Sequence, residues 1–166
     1  MRNVKNLSAA ALLAALTAVG AFLRIPAPAV PITLQFFFTL TAGLLLGAKW
    51  GAISQVLYLC LGLLGLPVFS LGGGLSYVLQ PTFGFLLGLV PAAAVAGLLR
   101  KKPLLACLAA WAAHYAVGLP YLHMIGSMMS FAGMTTAGFL LLLPGDALKI
   151  FAAALLCPKI QKALNR

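Results

Sequence analysis

A chain of 166 residues that is 63% hydrophobic and only 7% charged, with a mean hydropathy of +1.10, is not a soluble domain, where about 25% of residues carry charge. Its eleven Lys and Arg outnumber its one acid, but they sit at the ends of apolar runs and form no basic face with interleaved aromatics, which argues against nucleic acid as a partner. What remains is an all-α integral membrane protein, and at about 20 residues per span the length allows one bundle of about five to seven helices, a single membrane domain over 1–166 without linker or second domain.

Met1-Arg2-Asn3-Val4-Lys5, the apolar run after it and Ala18-Val19-Gly20-Ala21 have the outline of a cleaved signal peptide. The run from Leu7 to Leu23 is better read as a retained first helix, because retention puts the later charges on the correct side. Arg24-Ile25-Pro26-Ala27-Pro28-Ala29-Val30-Pro31 is not a regular helix, since each proline removes a donor. Helices are expected at 32–48 and at 50–66, the second ended by Leu66-Pro67 and the glycines Gly72-Gly73-Gly74. Two more follow at 81–99, stopping at Arg100-Lys101-Lys102-Pro103, and at 104–125.

The run 127–143 has an apolar part short for a span, and charge decides how to read it. With six spans and a last helix starting near Pro144, the cytoplasmic side receives Arg2, Lys5, Lys49, Arg100, Lys101, Lys102, Lys159, Lys162 and Arg166, nine of eleven cations. Arg24 falls outside and Lys149 within the last helix; a seventh span would carry the basic C-terminus across, against the positive-inside bias. The expected architecture is a six-transmembrane-helix bundle with both termini cytoplasmic.

Asp146 is the only acidic residue, and an ionisable side chain within a span costs about 2.5 to 3.5 kcal/mol on the biological insertion scale, which marks it as a functional-site candidate. Pro144 at the first helical position would lose no intrahelical bond, so Asp146 is expected in the first turn, favoured by the helix macrodipole, with Lys149 at i+3 on the same face. The outer segments 24–31, 67–80 and 126–143 are irregular and nearly uncharged, as backbone near membrane depth is where it lines a cavity. The expected site is an outward-facing pocket with one acid, one or two cations, several aromatics and a polar amide. Its occupant would be small and partly apolar, with hydrogen-bond donors and its own carboxylate.

Cys60, Cys107 and Cys157 have no metal or CxxC spacing and read as packing residues. His114 and His123 read as hydrogen-bonded packing residues, and no metal is expected. Gly43-x-x-x-Gly47-x-x-x-Gly51 and Gly84-x-x-x-Gly88 read as close packing within the chain.

Arg24-Ile25-Pro26 with Val30-Pro31-Ile32-Thr33-Leu34-Gln35, Gly65-Leu66-Pro67-Val68-Phe69 with Gly72 to Gly74, Gln80-Pro81-Thr82-Phe83-Gly84-Phe85-Leu86-Leu87-Gly88, and Leu143-Pro144-Gly145-Asp146-Ala147-Leu148-Lys149-Ile150 together resemble the BioY family. These are the biotin-specific S components of energy-coupling factor (ECF) transporters, and the resemblance spans nearly the whole chain in order. It implies six helices with cytoplasmic termini, a multi-pass protein of a prokaryotic cytoplasmic membrane, and high-affinity capture of biotin from outside. It implies no cofactor, biotin being the transported ligand, and no enzymatic activity. A transmembrane coupling subunit and a pair of ATPases are the implied partners, because the chain has no Walker-type glycine-lysine motif; a homodimer is the alternative assembly.

The resemblance carries Asp146 and Lys149 over as ligand-site residues, a carboxylate for the ureido N–H groups and a cation for the valerate carboxylate or for orienting Asp146. Gln35 supplies an amide, Phe69, Tyr77, Phe85 and Tyr115 are candidate walls for the fused rings, Gln80 and Thr82 are polar candidates, and Arg24 is the outer cation. The sequence departs from the family's Gly-Pro-Thr-Gly-Gly-Tyr at Gln80-Pro81-Thr82-Phe83-Gly84-Phe85, which breaks a glycine pair and removes a tyrosine hydroxyl. In the first helix, Ala10, Ala14 and Ala18 form one small-residue stripe and Ala11 with Ala15 another, resembling the Ala-x-x-x-Ala element by which S components dock on the coupling subunit. The competing functions are an S component for another small vitamin, a membrane enzyme using Asp146 as general acid or base, and a small-solute channel. The enzyme lacks a nucleophile constellation, and a channel has no need for an Asp and a Lys under loops.

Overall fold

Gly47 decides how the first half of the bundle folds. In this computed structural model, which describes residues 2–25, 32–125 and 140–164, α1 (Arg2–Phe22) leads into two short strands, β1 (Arg24–Ile25) and β2 (Ile32–Thr33), paired antiparallel with Arg24 opposite Thr33. α2 (Gln35–Leu63) follows, broken at Gly47 by φ 82° and ψ 176°, a conformation open only to glycine at low cost. Contacts across the break reverse the chain: Gly51 packs on Gly43, Thr39 bonds Gln55, and Gln35 bonds Tyr58. Partners on the two sides thus converge on position 47, and α2 is two antiparallel arms, 35–46 and 48–63. The expected helices at 32–48 and 50–66 are present with trimmed ends, joined without an intervening loop.

The chain continues through a bridge between Phe69 and Gly72 and a 3-10 turn at Leu75–Leu79 into α3 (Phe83–Leu98), α4 (Pro103–Ile125) and α5 (Leu140–Leu164). α4 starts on Pro103, where a missing N–H costs no helical bond. α3 and α4 are antiparallel, with Gly84 against Tyr121 and Gly88 against His114, and α5 runs against α4 and α2 through Asp146–Tyr115 and Cys157–Thr41. Of the outer segments expected to be irregular, 26–31 and 126–139 lie outside the described residues.

The last helix differs from expectation. Leu140 is already helical, so Pro144 lies inside α5 and not at its first position, and Asp146 sits at least about 9 Å along the axis instead of in the first turn. A proline inside a helix forfeits one backbone bond, and neighbouring helices make this tolerable in an apolar bundle. The helix dipole therefore does not account for the charge of Asp146; its side-chain partners must.

These registers gather the start of α1, the turn after Gly47, the α3–α4 turn and the end of α5 at one end of the molecule. Lys5, Lys49, Arg100, Lys101, Lys102, Lys159 and Lys162 are exposed there, while Asp146, Gln35 and the strands lie at the other end. Two described helices, 3–22 and 103–125, are each long and apolar enough to cross a membrane, and the stretch 35–63 is equally apolar but divided at Gly47. The outer surface is apolar, with Leu12, Leu98, Leu104, Leu148 and Phe151 exposed, whereas Thr17, Thr39, Ser54 and Gln55 are buried. An apolar exterior of this extent, with polar side chains among those held inside, suits lipid, not water.

Of the glycine spacings, Gly43, Gly51, Gly84 and Gly88 make the close contacts within the chain expected of them, while Gly47 makes the break in α2. The arm 35–46 meets α3 through Gly43, Ala93, Ala96 and Gly97, and a Cβ on Gly97 would stand 2.1 Å from the Ala48 nitrogen. Backbone atoms cannot swing aside, so Gly97→Ala is expected to destabilise the fold by about 1 to 3 kcal/mol. A clear drop in the Tm of the detergent-purified protein is the readout; an unchanged Tm would contradict this helix contact. Cys107 and Cys157 are buried in the core and Cys60 is exposed, all three as free thiols.

Candidate ligand-binding site

Residues from every described helix except α1 converge on one cavity at the end away from the exposed cations. α5 contributes Asp146 and Lys149, α4 contributes His114 and Tyr115, and α3 contributes Phe85, Leu86 and Leu89. Thr33, Gln35 and Phe36 come from the start of α2 and the strand before it, and Ser70, Tyr77 and Thr82 from the connection into α3.

The i, i+3 spacing in α5 puts Asp146 and Lys149 on one face. The Lys149 ammonium donates to Asp146 Oδ1 at 2.8 Å and the Tyr115 hydroxyl donates to Oδ2 at 2.7 Å, with Asp146 and Lys149 only 5% and 7% exposed. Burial of a charge at this depth is tolerable only with such partners. Each carboxylate oxygen keeps one free acceptor site and the ammonium keeps two donors, so the pair offers a ligand both polarities.

Gln35 is held just as fully. The Tyr58 hydroxyl spends its proton on the Val68 carbonyl at 3.1 Å, so it must accept from Gln35 Nε2, which orients the amide. Gln35 Oε1 accepts from Thr33 at 2.9 Å and Ser70 at 3.3 Å. With both oxygen lone pairs taken and one N–H remaining, Gln35 presents a donor to the cavity. Phe36 stacks on His114 at 4.8 Å and Phe85 stands edge-on to Tyr115 at 5.6 Å, so aromatic faces line the space between the two polar ends. Thr82 Oγ1 and His114 Nδ1 are buried without a hydrogen-bond partner among the described residues.

Of the residues singled out in the sequence, the cavity brings together Asp146, Lys149, Gln35, Tyr77, Thr82, Phe85 and Tyr115. Three lie elsewhere. Phe69 is buried behind the wall, packed on Tyr58 and Tyr77, so it supports the cavity without facing it. Gln80 closes the 3-10 turn, its carbonyl accepting from Phe83 at 3.0 Å, and is exposed. Arg24 is also exposed, and its guanidinium donates to the carbonyl of Ser70, whose hydroxyl holds Gln35.

Sequence reasoning passed over Thr33, Phe36, Ser70, Leu86, Leu89 and His114. His114 carried a usable signal, since a titratable ring inside an apolar span is as unusual as a carboxylate. Leu86 and Leu89 carried none, being ordinary helix leucines. The stripes on α1 separate: Ala10 and Ala14 are buried against α2, Ala18 is half-buried, and Ala11 and Ala15 are exposed. No group of three or more metal-ligating side chains occurs among the described residues.

The sequence model of the BioY family matches residues 1–166. A protein from Lysinibacillus sphaericus described as a probable biotin transporter BioY is 41% identical over 93% of this chain and 86% of its own. Another so described, from Pyrococcus horikoshii, is 38% identical over 96% and 98%, and the biotin transporter BioY of Thermotoga maritima is 34% identical over 96% and 97%. The crystal structure of an S-component for biotin from an ECF-type ABC transporter superposes with a TM-score of 0.78 at 26% identity, covering 97% of this chain and 93% of that one.

Proposed function

The chain belongs to the BioY family, and we propose that it captures biotin at the outer face of a prokaryotic cytoplasmic membrane as the substrate-specific subunit of an ECF-type importer. It is a transporter subunit and not an enzyme. The observation that carries the ligand assignment is the division of donors and acceptors in the cavity. Asp146 has two acceptor sites left for the ureido N–H groups, and Lys149 and Gln35 have N–H donors left for ligand oxygens. Phe36 and Phe85 supply faces for the fused rings. The Asp146–Lys149 pair is neutral overall, so the valerate carboxylate points to the mouth, where Arg24 sits beside Ser70.

We read the topology as six crossings with both termini cytoplasmic, in one membrane domain. Counting the two arms of α2 separately yields six helical segments among the described residues, and the collection of exposed cations at the end opposite the cavity supports the orientation. Partners follow from what the chain lacks: without a nucleotide-binding motif, uphill transport needs a coupling subunit and its ATPases.

Titration calorimetry on the detergent-purified chain tests the ligand. Biotin is expected to bind tightly and dethiobiotin, which keeps the ureido and carboxylate groups but lacks the thioether ring, more weakly. Binding of thiamine or riboflavin with none of biotin would overturn the substrate and keep the class.

A further inference from the structure

Four polar side chains are buried inside the otherwise apolar bundle. Thr17 on α1, Thr39 on the first arm of α2, and Ser54 and Gln55 on the second are all fully buried and outside the cavity wall. A buried polar group without purpose would cost stability, and these are joined into one chain of bonds.

Proton counting gives the chain a direction. The Thr17 hydroxyl spends its proton on the Leu13 carbonyl at 2.8 Å, so towards Gln55 it accepts only, which turns Gln55 Nε2 to Thr17 at 3.4 Å and to Ser54 at 3.2 Å. Gln55 Oε1 is thereby left facing Thr39 Oγ1 at 3.0 Å. That hydroxyl also stands 3.0 Å from the carbonyl of Gln35, and its single proton is divided between the two oxygens. Gln35 in turn holds the donor end of the cavity. An unbroken path therefore runs from the cavity, through Gln35 and Thr39, to Gln55, and across to α1, whose opposite face carries the exposed Ala11 and Ala15.

The geometry points to Gln55 as a positioning residue that ties the setting of Gln35 in the cavity to the seating of α1. A ligand drawing on the Gln35 N–H pulls the first turn of α2, and this shifts the Thr39 proton between its two acceptors. Among the described residues, Gln55 is the side chain that both feels that shift and bonds α1. This inference rests on the biotin reading for its ligand, not for its connectivity.

Hydrogen exchange at the α1 amides and biotin titration are measured together on the purified full chain. The comparison set is the parent, Gln55→Leu, Thr39→Val, which keeps the shape and removes only the hydroxyl, and Thr41→Val. Thr41 lies on the same arm but bonds the Phe37 carbonyl and Cys157, off the path. In the parent and in Thr41→Val, biotin is expected to slow exchange in α1. In Gln55→Leu and Thr39→Val that slowing disappears, and biotin binds about tenfold more weakly through the loosened Gln35. Slowing of α1 in both variants to the parent's extent, or no slowing in the parent itself, overturns the assignment. Should Gln55→Leu fail to fold, Thr39→Val decides. A parent that binds another vitamin and not biotin defeats the ligand assignment alone, and the same comparison is then run with that vitamin.

Discussion

Asp146→Asn is expected to reduce biotin affinity by about a hundredfold or more. Two hydrogen bonds to a charged acceptor are at stake, each contributing about 1.5 to 3 kcal/mol, and each 1.4 kcal/mol is tenfold in Kd. The asparagine amide replaces one acceptor with a donor that meets the ligand's own N–H. It also strips Lys149, 7% exposed and 2.8 Å from its partner, of its counter-charge. Breaking a buried pair in this way costs about 3 to 5 kcal/mol, so the Tm should fall along with the affinity. The two losses are separable. Asp146→Asn combined with Lys149→Met removes the stranded ammonium and is expected to recover most of the Tm with no recovery of binding. Calorimetry and thermal unfolding on the single and double variants check this. A single variant that binds biotin like the parent would remove the proposed carboxylate contact, and a double variant that regains affinity would show that Asp146 serves only to hold Lys149.

How much of this was legible in the sequence depends on how expensive each residue is. Asp146 and Lys149 announced themselves because charge in an apolar chain needs a reason, and their spacing alone put them on one face. The positions of Lys and Arg were enough to group the helix ends, which the contacts across Gly47 and between α3 and α4 then reproduce. What could not be read was local. Pro144 matched a helix start, but the leucines before it extend α5 to Leu140, because in an apolar bundle one lost backbone bond does not stop a helix. Gln80 and Thr82 are two residues apart, yet one points outward from a 3-10 turn and the other lines the cavity. Ser70 and Phe36 belong to the site only because distant segments meet there, and no pattern along the chain encodes that meeting. The family's glycine pair, broken here by Phe83, leaves that ring packed between Tyr77 and Tyr121, so the departure is absorbed next to the cavity.

The alanine stripes on α1 show the same limit and lead to the second large effect. Helical periodicity makes Ala10, Ala14 and Ala18 one row and Ala11 with Ala15 another, but periodicity alone does not say which row faces in. The fold does: Ala10 and Ala14 are consumed by the contact with α2, with Leu13 and Thr17 beside them, and are closed to any partner. A coupling subunit that docked on α1 would then meet Ala11 and Ala15, where small side chains let a second helix approach closely. Ala15→Trp is expected to leave biotin affinity of the isolated chain unchanged, because the ring points away from the cavity. In vesicles holding the complete importer, it should cut biotin uptake by about tenfold or more, since close helix contact in lipid depends on small residues. Leu104→Trp, on the exposed face of α4, is the matched control and should transport normally. Ala14→Trp should fail differently, by lowering the Tm of the isolated chain. Normal uptake by Ala15→Trp would move the docking face off this side of α1. Loss of biotin affinity in the same variant would mean that α1 is coupled to the cavity strongly enough for a load on its outer face to reach Gln35, the path running through Thr17, Gln55 and Thr39.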